Sequence, residues 1–291
     1  MSERRWATVS RRQFLQTAGM LAAGSIIGCS GGSNSAEAAP AVLANPPAVP
    51  RNTAFLKWVS TQPTKPSRFE LVVMGDNRPN TKTFEKIVRL TDSLKPAFSV
   101  HLGDIVQGGT VDQWNKVEPD LDVFTMPVIA VDGNHDRNLL GPRGLDMQLW
   151  NTEWGNPQWD FIAGGWHFVG FDTSLGVFTD AHAAWLDTVL NDNLPTMVFT
   201  HYPLSVDRWK VHALSAGTDK FLALLRKYSV EQVFMGHNHL FDQMQIGPTL
   251  GTITGGAGSA LYTQFGFGVC KYHVTHVAVE GAKATVQMVA L

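Results

Sequence analysis

Cysteine is scarce in this 291-residue chain, which has only Cys29 and Cys270. If Cys29 is modified or cleaved off, Cys270 has no partner within the chain, and no disulfide can form. We therefore expect a fold without disulfides. A chain of this length tolerates their absence because it can bury a large hydrophobic core.

Charged residues are also few, at 16% of the chain, and the formal net charge is −2. Four arginines and one glutamate fall within the first 29 residues, so the rest of the chain is more acidic than the whole. Proteins that bind duplex nucleic acid do so through clustered positive charge, which an acidic domain lacks. The composition therefore predicts no nucleic-acid duplex as a partner.

The N-terminal apolar stretch, 18–28, is shorter than the ~20 residues that a membrane-spanning helix needs. It follows the twin-arginine pattern Ser-Arg-Arg-Gln-Phe-Leu at 10–15. Basic residues, a short apolar region and small residues beyond it are typical of an export signal. The alternative is a buried first helix, which Gly19, Gly24 and Gly28 disfavour because glycine destabilises helix interiors.

Two processing sites compete after this signal. Ile26-Ile27-Gly28-Cys29 resembles a lipobox, in which Cys29 would be acylated, whereas Ala36-Glu37-Ala38 resembles a cleavage site that releases a soluble product. We favour the lipobox, so the domain prediction is a signal at 1–29, a flexible Ser-, Gly-, Ala- and Pro-rich tether at 30–52 and a folded domain at 53–291. The expected product is exported to the periplasm or cell surface and attached to a membrane through lipidated Cys29.

Three short apolar runs in the folded region are bounded by turn residues, as buried strands are. They cover 69–74, 97–102 and 126–131, and they end in Gly-Asp, Gly-Asp and Asp-Gly-Asn. An amphipathic helical pattern over 84–94 lies between the first two runs. Strand, helix and strand at this spacing predict a βαβ unit with a right-handed crossover.

The later segments alternate between strands and helices, with no internal repeat. We expect a hairpin around Gly164-Gly165, helices near 181–190 and 221–228, strands at 196–200 and 233–235, and mostly strands thereafter. The Gly255–Gly258 run is either a hairpin turn or a place where backbone approaches the site. The prediction is one α/β domain with two sheets sandwiched between helices.

Five motifs combine carboxylate, amide and imidazole groups, a ligand set suited to borderline divalent metals. The motifs are Gly75-Asp76-Asn77-Arg78, Gly103-Asp104-Ile105-Val106-Gln107-Gly108, Gly133-Asn134-His135-Asp136, Thr200-His201-Tyr202-Pro203 and Gly236-His237-Asn238-His239. Each motif alone is a weak signal. Their order and their positions at predicted strand ends resemble the calcineurin-like metallophosphoesterase superfamily over residues 68–262.

The resemblance implies a four-layer α/β/β/α sandwich with two divalent or mixed-valence metal ions (Mn, Fe or Zn) at the strand ends. It implies hydrolysis of a small phosphomonoester or phosphodiester. Asp76 and His239 would bind the first metal and Asp104 would bridge both metals. The second metal would be bound by Asn134, His201 and His237.

The resemblance also implies roles for the residues that react with substrate. Hydroxide bound to the metals would be the nucleophile, since a metal lowers the pKa of water. His135 would act as the general acid, and Asp136 would orient it or raise its pKa. His101 either supports the site from behind or faces away from it, and His212 is expected to be a structural or surface residue.

Arg78 departs from the family pattern, which usually has a metal-binding histidine at this position. A guanidinium cannot bind a cation. Asn77, Tyr202 or water would then replace the missing ligand, and Arg78 would bind the substrate phosphate with its planar fork. The alternative is a decayed first metal site in a non-catalytic phosphate- or metal-binding lipoprotein. The oligomeric state is left open.

Overall fold

The computed structural model describes residues 42–138 and 146–291. The predicted export signal, the lipobox at Cys29 and most of the predicted tether lie outside these residues. Among the residues described, no helix combines the length and the apolar character that are needed to span a bilayer.

The first sheet has the strand order β11-β10-β1-β2-β3. Its strands are β1 Arg68–Met74, β2 Phe98–His101, β3 Val128–Ala130, β10 His273–Glu280 and β11 Lys283–Ala290. The first three run parallel, β10 pairs antiparallel with β1, and β11 pairs antiparallel with β10 at the edge of the sheet. The apolar runs that predicted β1, β2 and β3 are confirmed as strands.

The second sheet has the strand order β4-β5-β6-β7-β9-β8. Its strands are β4 Trp159–Ala163, β5 Trp166–Gly170, β6 Thr196–Thr200, β7 Gln232–Met235, β8 Phe241–Ile246 and β9 Thr249–Thr254. The central four are parallel, and β4 and β8 pair antiparallel at the two edges. Gly164 and Gly165 both have positive φ and form the predicted turn between β4 and β5.

Helices connect the strands and cover both sheets. They are α1 Arg51–Val59, α2 Thr81–Leu94, α3 Val111–Leu121, α4 Gln148–Glu153, α5 Asp180–Val189 and α6 Thr218–Lys227, with a 3-10 turn at Asp207–Lys210. Helix α2 begins where the Asn80 side chain accepts a hydrogen bond from the Thr83 N–H, a standard N-cap.

Side-chain alternation along the strands separates the interior into three cores. On β1, Leu71 and Val73 face the second sheet, whereas Val72 and Met74 face helix α2 and its neighbours. A third cluster packs α5 and α6 on the outer face of the second sheet. The order is helix, sheet, sheet, helix, which confirms the predicted four-layer sandwich.

Residues 42–52 belong to the predicted tether, yet some of them pack on the domain. Leu43 is buried in the cluster around α2. The Asn52 amide exchanges two hydrogen bonds of 2.9 Å with the backbone of Ala130 at the end of β3. Helix α1 begins at Arg51 and closes the space between the sheets with Phe55. The boundary between tether and domain stays a prediction.

Candidate active site

The motifs lie at the carboxyl ends of strands β1, β2, β3, β6 and β7, so both sheets present them at one edge. This is where α/β sheets usually bind ligands. The structure brings together all six side chains that were expected to bind metal. These are Asp76, Asp104, Asn134, His201, His237 and His239.

Three of these residues have left-handed backbone conformations that are uncommon outside glycine. The φ angles are 64° at Asp76, 56° at Asp104 and 64° at His237. Each follows a glycine, which lets the chain turn sharply out of the strand. Such conformations cluster at functional sites, where the surrounding structure enforces them.

Glycine is also required where backbone segments of different motifs touch. A Cβ at Gly133 would lie 2.3 Å from the Asp104 nitrogen and 2.9 Å from Cε1 of His201. A Cβ at Gly236 would lie 2.7 Å from Oδ2 of Asp76. The glycines of the motifs therefore allow the ligand side chains to approach one another.

The Gly255–Gly258 run follows β9 as a loop and packs on the first motif. Within it the N–H of Ala257 donates to the carbonyl of Gly75 across 3.0 Å. A Cβ at Gly255 would lie 2.8 Å from Oδ2 of Asp76. The sequence left two alternatives for this run, a hairpin turn or a close approach of backbone to the site. The structure shows the close approach.

Asp104 is shared by two groups of potential metal ligands. One group is Asp104, His201 and His237, and the other is Asp76, Asp104 and His239. Within each group the ligand atoms lie within 4.8 Å of one another, and all these residues are buried. Two cations held close together need negative charge between them, and a carboxylate shared by both ligand groups supplies it.

The Asp104–His201–His237 group is completed by the amide oxygen of Asn134. This Oδ1 lies 3.1 Å from Nε2 of His201 and 3.0 Å from Nδ1 of His237. Nδ1 of His201 contacts the carbonyl oxygen of Leu102 across 2.7 Å. Because a carbonyl only accepts, Nδ1 carries the proton and the Nε2 lone pair is available to a metal.

In the other group, a hydrogen bond fixes the tautomer of His239 in the same way. Its Nδ1 donates to the carbonyl oxygen of Ala260 across 2.7 Å. Its Nε2 is buried without a hydrogen-bond partner in the described part of the chain and lies 3.5 Å from Oδ1 of Asp76. A buried, unpartnered nitrogen beside a carboxylate fits a metal ligand, so the residues present fit two ions.

Arg78 contacts the shared carboxylate directly. Its Nε donates to Oδ2 of Asp104 across 2.7 Å, and a terminal nitrogen donates to Oε1 of Gln107 across 3.0 Å. Arg78 is almost fully buried, at 8% exposure. A cavity of about 230 Å³, lined by Arg78, Gln107 and Lys116 among others, adjoins it.

The two side chains expected to replace the missing histidine have other partners. The amide nitrogen of Asn77 donates to the carbonyl oxygen of Ile105 across 3.1 Å, and its Oδ1 is buried without a partner among the described residues. The ring of Tyr202 stacks on His237 with a centroid separation of 3.9 Å. Replacement of the ligand by either side chain stays a prediction.

His135 lies at the mouth of the site, half-buried. Its backbone N–H donates to Oδ1 of Asp104 across 2.9 Å, and Nδ1 donates to the carbonyl oxygen of Gln107 across 2.7 Å. Nε2 is therefore the ring nitrogen that this bond leaves free. Burial lowers the pKa of His135, and the negative charge of Asp104 opposes that effect.

Asp136 does not orient His135 as expected. Its carboxylate accepts from the backbone N–H groups of Asp104, Ile105, Val106 and Gly133. These bonds fix the turns that carry the second and third motifs, and the Gln107 carbonyl takes the place of Asp136 at His135. Burial, and then the charge of Asp104, raise the pKa of Asp136.

His101 supports the site from behind, which decides between its two predicted positions. It is fully buried on β2, and its Nδ1 accepts from the N–H of Gly103 across 3.2 Å. Its ring meets the edge of Phe84 on α2. Burial lowers the pKa of His101 to about 4, so the imidazole is neutral and holds the turn before Asp104.

The pKa shifts of His237 and Asp104 favour the protonation states in which these residues bind metals. Burial, and then the proximity of His201, lower the pKa of His237 to about 2, which keeps this ligand neutral. Burial disfavours ionisation of Asp104, but His201 and Arg78 outweigh it and hold the pKa well below its usual range. Neutral imidazoles and an ionised carboxylate are the forms that bind metals.

Three further residues of the site were not predicted to contribute to it, and one of them, His212, was expected to be a structural or surface residue. Gln107 lies within the second motif and holds both Arg78 and His135. His212 and Tyr262 lie outside the motifs, yet their rings contact His237 and His239 respectively. No local pattern marks these two, because loops remote in sequence bring them to the site.

Two sheets between helices, with oxygen and imidazole ligands gathered at one edge, define the architecture of a two-metal phosphoesterase. Residues 69–241 match the family described as calcineurin-like phosphoesterase, and the chain belongs to this family. The resemblance that the motifs indicated is thereby confirmed. Membership supports a hydrolase that acts on phosphoesters.

Curated proteins that resemble this chain in sequence are also phosphoesterases. Over 170 residues the chain is 29% identical to the glycerophosphodiester phosphodiesterase GpdQ of Enterobacter lignolyticus, covering 52% of this chain and 59% of that protein. The chain thus spans less than two thirds of the curated relatives that it matches.

Solved structures share the fold at low sequence identity. The purple acid phosphatase PPD1 from yellow lupin has a TM-score of 0.65 and 13% identity, over 78% of this chain and 52% of that one. GAP50, the anchor in the inner membrane complex of Plasmodium, has a TM-score of 0.58 and 15% identity, over 77% and 84%.

Proposed function

We propose that this protein hydrolyses a phosphodiester or phosphomonoester in a site that holds two divalent metal ions. The observation that carries the proposal is the position of Asp104 between two groups of buried ligands. The similarity to a glycerophosphodiester phosphodiesterase favours a diester as the substrate.

Bound ions would polarise the phosphoryl oxygens and lower the pKa of a water molecule, so that it can attack phosphorus near neutral pH. The chain supplies the geometry for this. Asp76 and His239 form one side of the site, Asn134, His201 and His237 form the other, and Asp104 lies between them. Manganese, iron and zinc are the candidates, given this mixed oxygen and nitrogen set.

His135 gives a proton to the leaving group. The imidazolium form of His135 gives its Nε2 proton to the alcohol oxygen as the bond from phosphorus to the alcohol breaks, and the attacking water loses a proton to solvent as it bonds to phosphorus. The bond from Nδ1 to the Gln107 carbonyl holds the ring in place. A diester then yields an alcohol and a phosphate monoester.

Arg78 binds the phosphate once ions neutralise Asp104. A guanidinium prefers a partner that offers two acceptor oxygens, and a phosphoryl group does so. In the structure the Arg78 side chain contacts Asp104 and Gln107 through different nitrogens. On rotation of the side chain, a substrate oxygen would replace the carboxylate.

Hydrolysis of p-nitrophenyl phosphate and of bis(p-nitrophenyl) phosphate, with added manganese, iron or zinc, tests the proposal. Metal-dependent turnover that an Asp104→Ala variant loses would support the enzyme. The ratio of the two rates would separate a diesterase from a monoesterase. Folded protein that turns over neither ester with any of the three metals would contradict it.

A non-catalytic phosphate- or metal-binding protein is the second candidate, and the bond between Arg78 and Asp104 favours it. In that case the guanidinium keeps the first ion out permanently. Inactive wild-type protein that becomes active after Arg78→His would establish this alternative. His135 argues against it, because a binding protein needs no proton donor.

Export and lipid attachment are a separate part of the proposal, and they rest on the Arg11-Arg12 pair and on Cys29. Expression of the full chain with a labelled fatty acid tests them. Label in the wild type that is absent from Cys29→Ser would support the lipid anchor. Unlabelled wild type that is exported and shortened near residue 38 would favour the A-x-A cleavage site.

A further inference from the structure

Two aromatic rings cover the ligand histidines of the site. Tyr202 stacks on His237 with ring centroids 3.9 Å apart and planes 27° apart. Tyr262 stacks on His239 at 4.1 Å, also with planes 27° apart. Each imidazole is thus held from one side by a tyrosine ring, close to the atoms that face the metals.

A wall of three rings continues from this point. His212 lies 5.8 Å from His237, 5.7 Å from Tyr262 and 5.4 Å from Phe265, centroid to centroid. Tyr262 and Phe265 are 5.2 Å apart. We call His212, Tyr262 and Phe265 the aromatic wall. It extends from the ligand histidines toward solvent.

The aromatic wall is open, unlike the aromatic clusters of the cores. His212 is exposed, and Tyr262 and Phe265 are half-buried. In contrast, Phe98, Phe168 and Phe199 between the sheets are completely buried. Phe265 packs in part on the third core cluster. Grouped rings that still keep accessible area beside a polar site are typical of a ligand surface.

The backbone fixes His212 in position. The residue has φ 51°, a left-handed conformation. It follows the 3-10 turn, where buried Trp209 donates from Nε1 to Oδ2 of Asp242 across 2.7 Å. The carbonyl oxygen of Val211 accepts from the Asn238 amide across 3.4 Å. His212 is therefore anchored on both the second sheet and the last motif.

The backbone of Tyr262 is fixed as well. Its N–H donates to the carbonyl oxygen of His239 across 3.1 Å, and its own carbonyl accepts from Sγ of Cys270 across 3.0 Å. The loop that begins at Ala260 thus carries two wall residues, Tyr262 and Phe265, and also holds Nδ1 of His239. A rigid wall that shares its support with a metal ligand is preorganised for binding.

We infer that the aromatic wall binds a planar aromatic substituent of the phosphoester, such as an aryl group or a nucleobase. This inference rests on the proposed function. Stacking on a ring face suits any flat π-system. A cationic substituent fits less well, since ions bound beside His237 and His239 would repel it.

Binding of phosphonates tests the inference, because their carbon–phosphorus bond is not an ester and they report binding alone. Calorimetry on the full chain loaded with manganese would compare methyl-, cyclohexyl- and phenylphosphonate. We expect phenylphosphonate to bind roughly three- to tenfold more tightly than the other two. Cyclohexylphosphonate separates a preference for planarity from a preference for apolar area.

Two substitutions, combined in one double variant, test whether the preference for phenylphosphonate comes from the aromatic wall. His212→Asn keeps a residue that tolerates left-handed backbone, and Phe265→Leu keeps apolar volume. The double variant should lose most of the preference for phenylphosphonate. Tyr228→Leu is the matched control, since Tyr228 is a half-buried ring at the end of α6, beyond the opposite end of β7. The control should keep the preference.

Three results would overturn the inference while leaving the proposed function intact. They are equal binding of phenyl- and cyclohexylphosphonate, an undiminished preference in the double variant, and tighter binding of 2-(trimethylammonio)ethylphosphonate than of phenylphosphonate. If no phosphonate binds and no ester is turned over, the result contradicts both the proposed function and the inference.

Discussion

Nε of Arg78 lies 2.7 Å from Oδ2 of Asp104, so the one residue that departs from the family pattern contacts the one carboxylate that both ligand groups share. Both side chains are buried, and neither is free to pair with solvent. Metal binding and the bond between Arg78 and Asp104 therefore compete for the same oxygen. This competition gives the first prediction.

Arg78→His should strengthen binding of the first-site ion at least tenfold. The change frees Oδ2 of Asp104 and adds an imidazole beside Asp76. Changes to the residues that contact metal ligands alter metal affinity by ~10–100-fold. Calorimetric titration with manganese measures it. Arg89→His is the control, because Arg89 is an exposed arginine bonded to Glu85. Unchanged or weaker binding in Arg78→His would contradict the competition.

His135→Gln should lower kcat by roughly 10²–10⁴ for an alkyl phosphoester, because the leaving alkoxide then lacks a proton donor. A p-nitrophenyl ester should lose much less, since p-nitrophenolate leaves without protonation. The measurement is kcat for both esters, with bound metal quantified in each variant. An equal loss for both esters at equal metal content would show that His135 does not protonate the leaving group.

The sequence predicted the strand ends and their motifs because the information is local. A short apolar run followed by Gly-Asp or Gly-Asn-His specifies both the buried strand and the sharp turn after it. Helix α3 was not predicted, and it contains Pro119, which disfavours helix interiors. Helix α1 follows a Pro- and Ala-rich stretch whose composition resembles a tether.

The contacts within the site were harder to predict. Asp136 is next to His135 in the chain, yet its carboxylate points into the turns and accepts four backbone N–H groups. His212 and Tyr262 are 50 residues apart and reach the site on loops without a motif. These arrangements depend on tertiary geometry, which residue spacing does not encode.

Gly133→Ala should distort the backbone that carries the metal ligands. The added Cβ would meet backbone and side-chain atoms of Asp104 at 2.3 Å, and overpacking of this kind costs ~1–3 kcal/mol. We expect a lower melting temperature and weaker metal binding. Gly108→Ala is the control, since its Cβ would come no closer than 3.6 Å to the nearest atom. Equal behaviour of the two variants would contradict the close approach.

His273 should make the protein less stable in acid. Burial holds the pKa of His273 at about 4, against 6.5 for an ordinary histidine. Between pH 6.5 and pH 4 the unfolded chain binds a proton that the folded protein excludes, so stability falls as the pH is lowered through this window. The full effect is on the order of 3 kcal/mol.

Urea unfolding of metal-free protein from pH 7 to pH 4 measures this dependence. His273→Gln should lower the slope of stability against pH within the window, whatever its effect at pH 7. His276→Gln is the matched control, because His276 is half-buried and pairs with Glu70 on the same strand pair. A slope unchanged by His273→Gln would show that another group is responsible.

The most direct test of the two-ion site is a crystal structure with manganese, read by anomalous scattering. We expect two peaks on either side of Asp104, one beside Asp76 and His239 and the other beside Asn134, His201 and His237. A single peak in the second group, with Arg78 still bonded to Asp104, would contradict the two-ion site. The absence of any peak would contradict metal binding altogether.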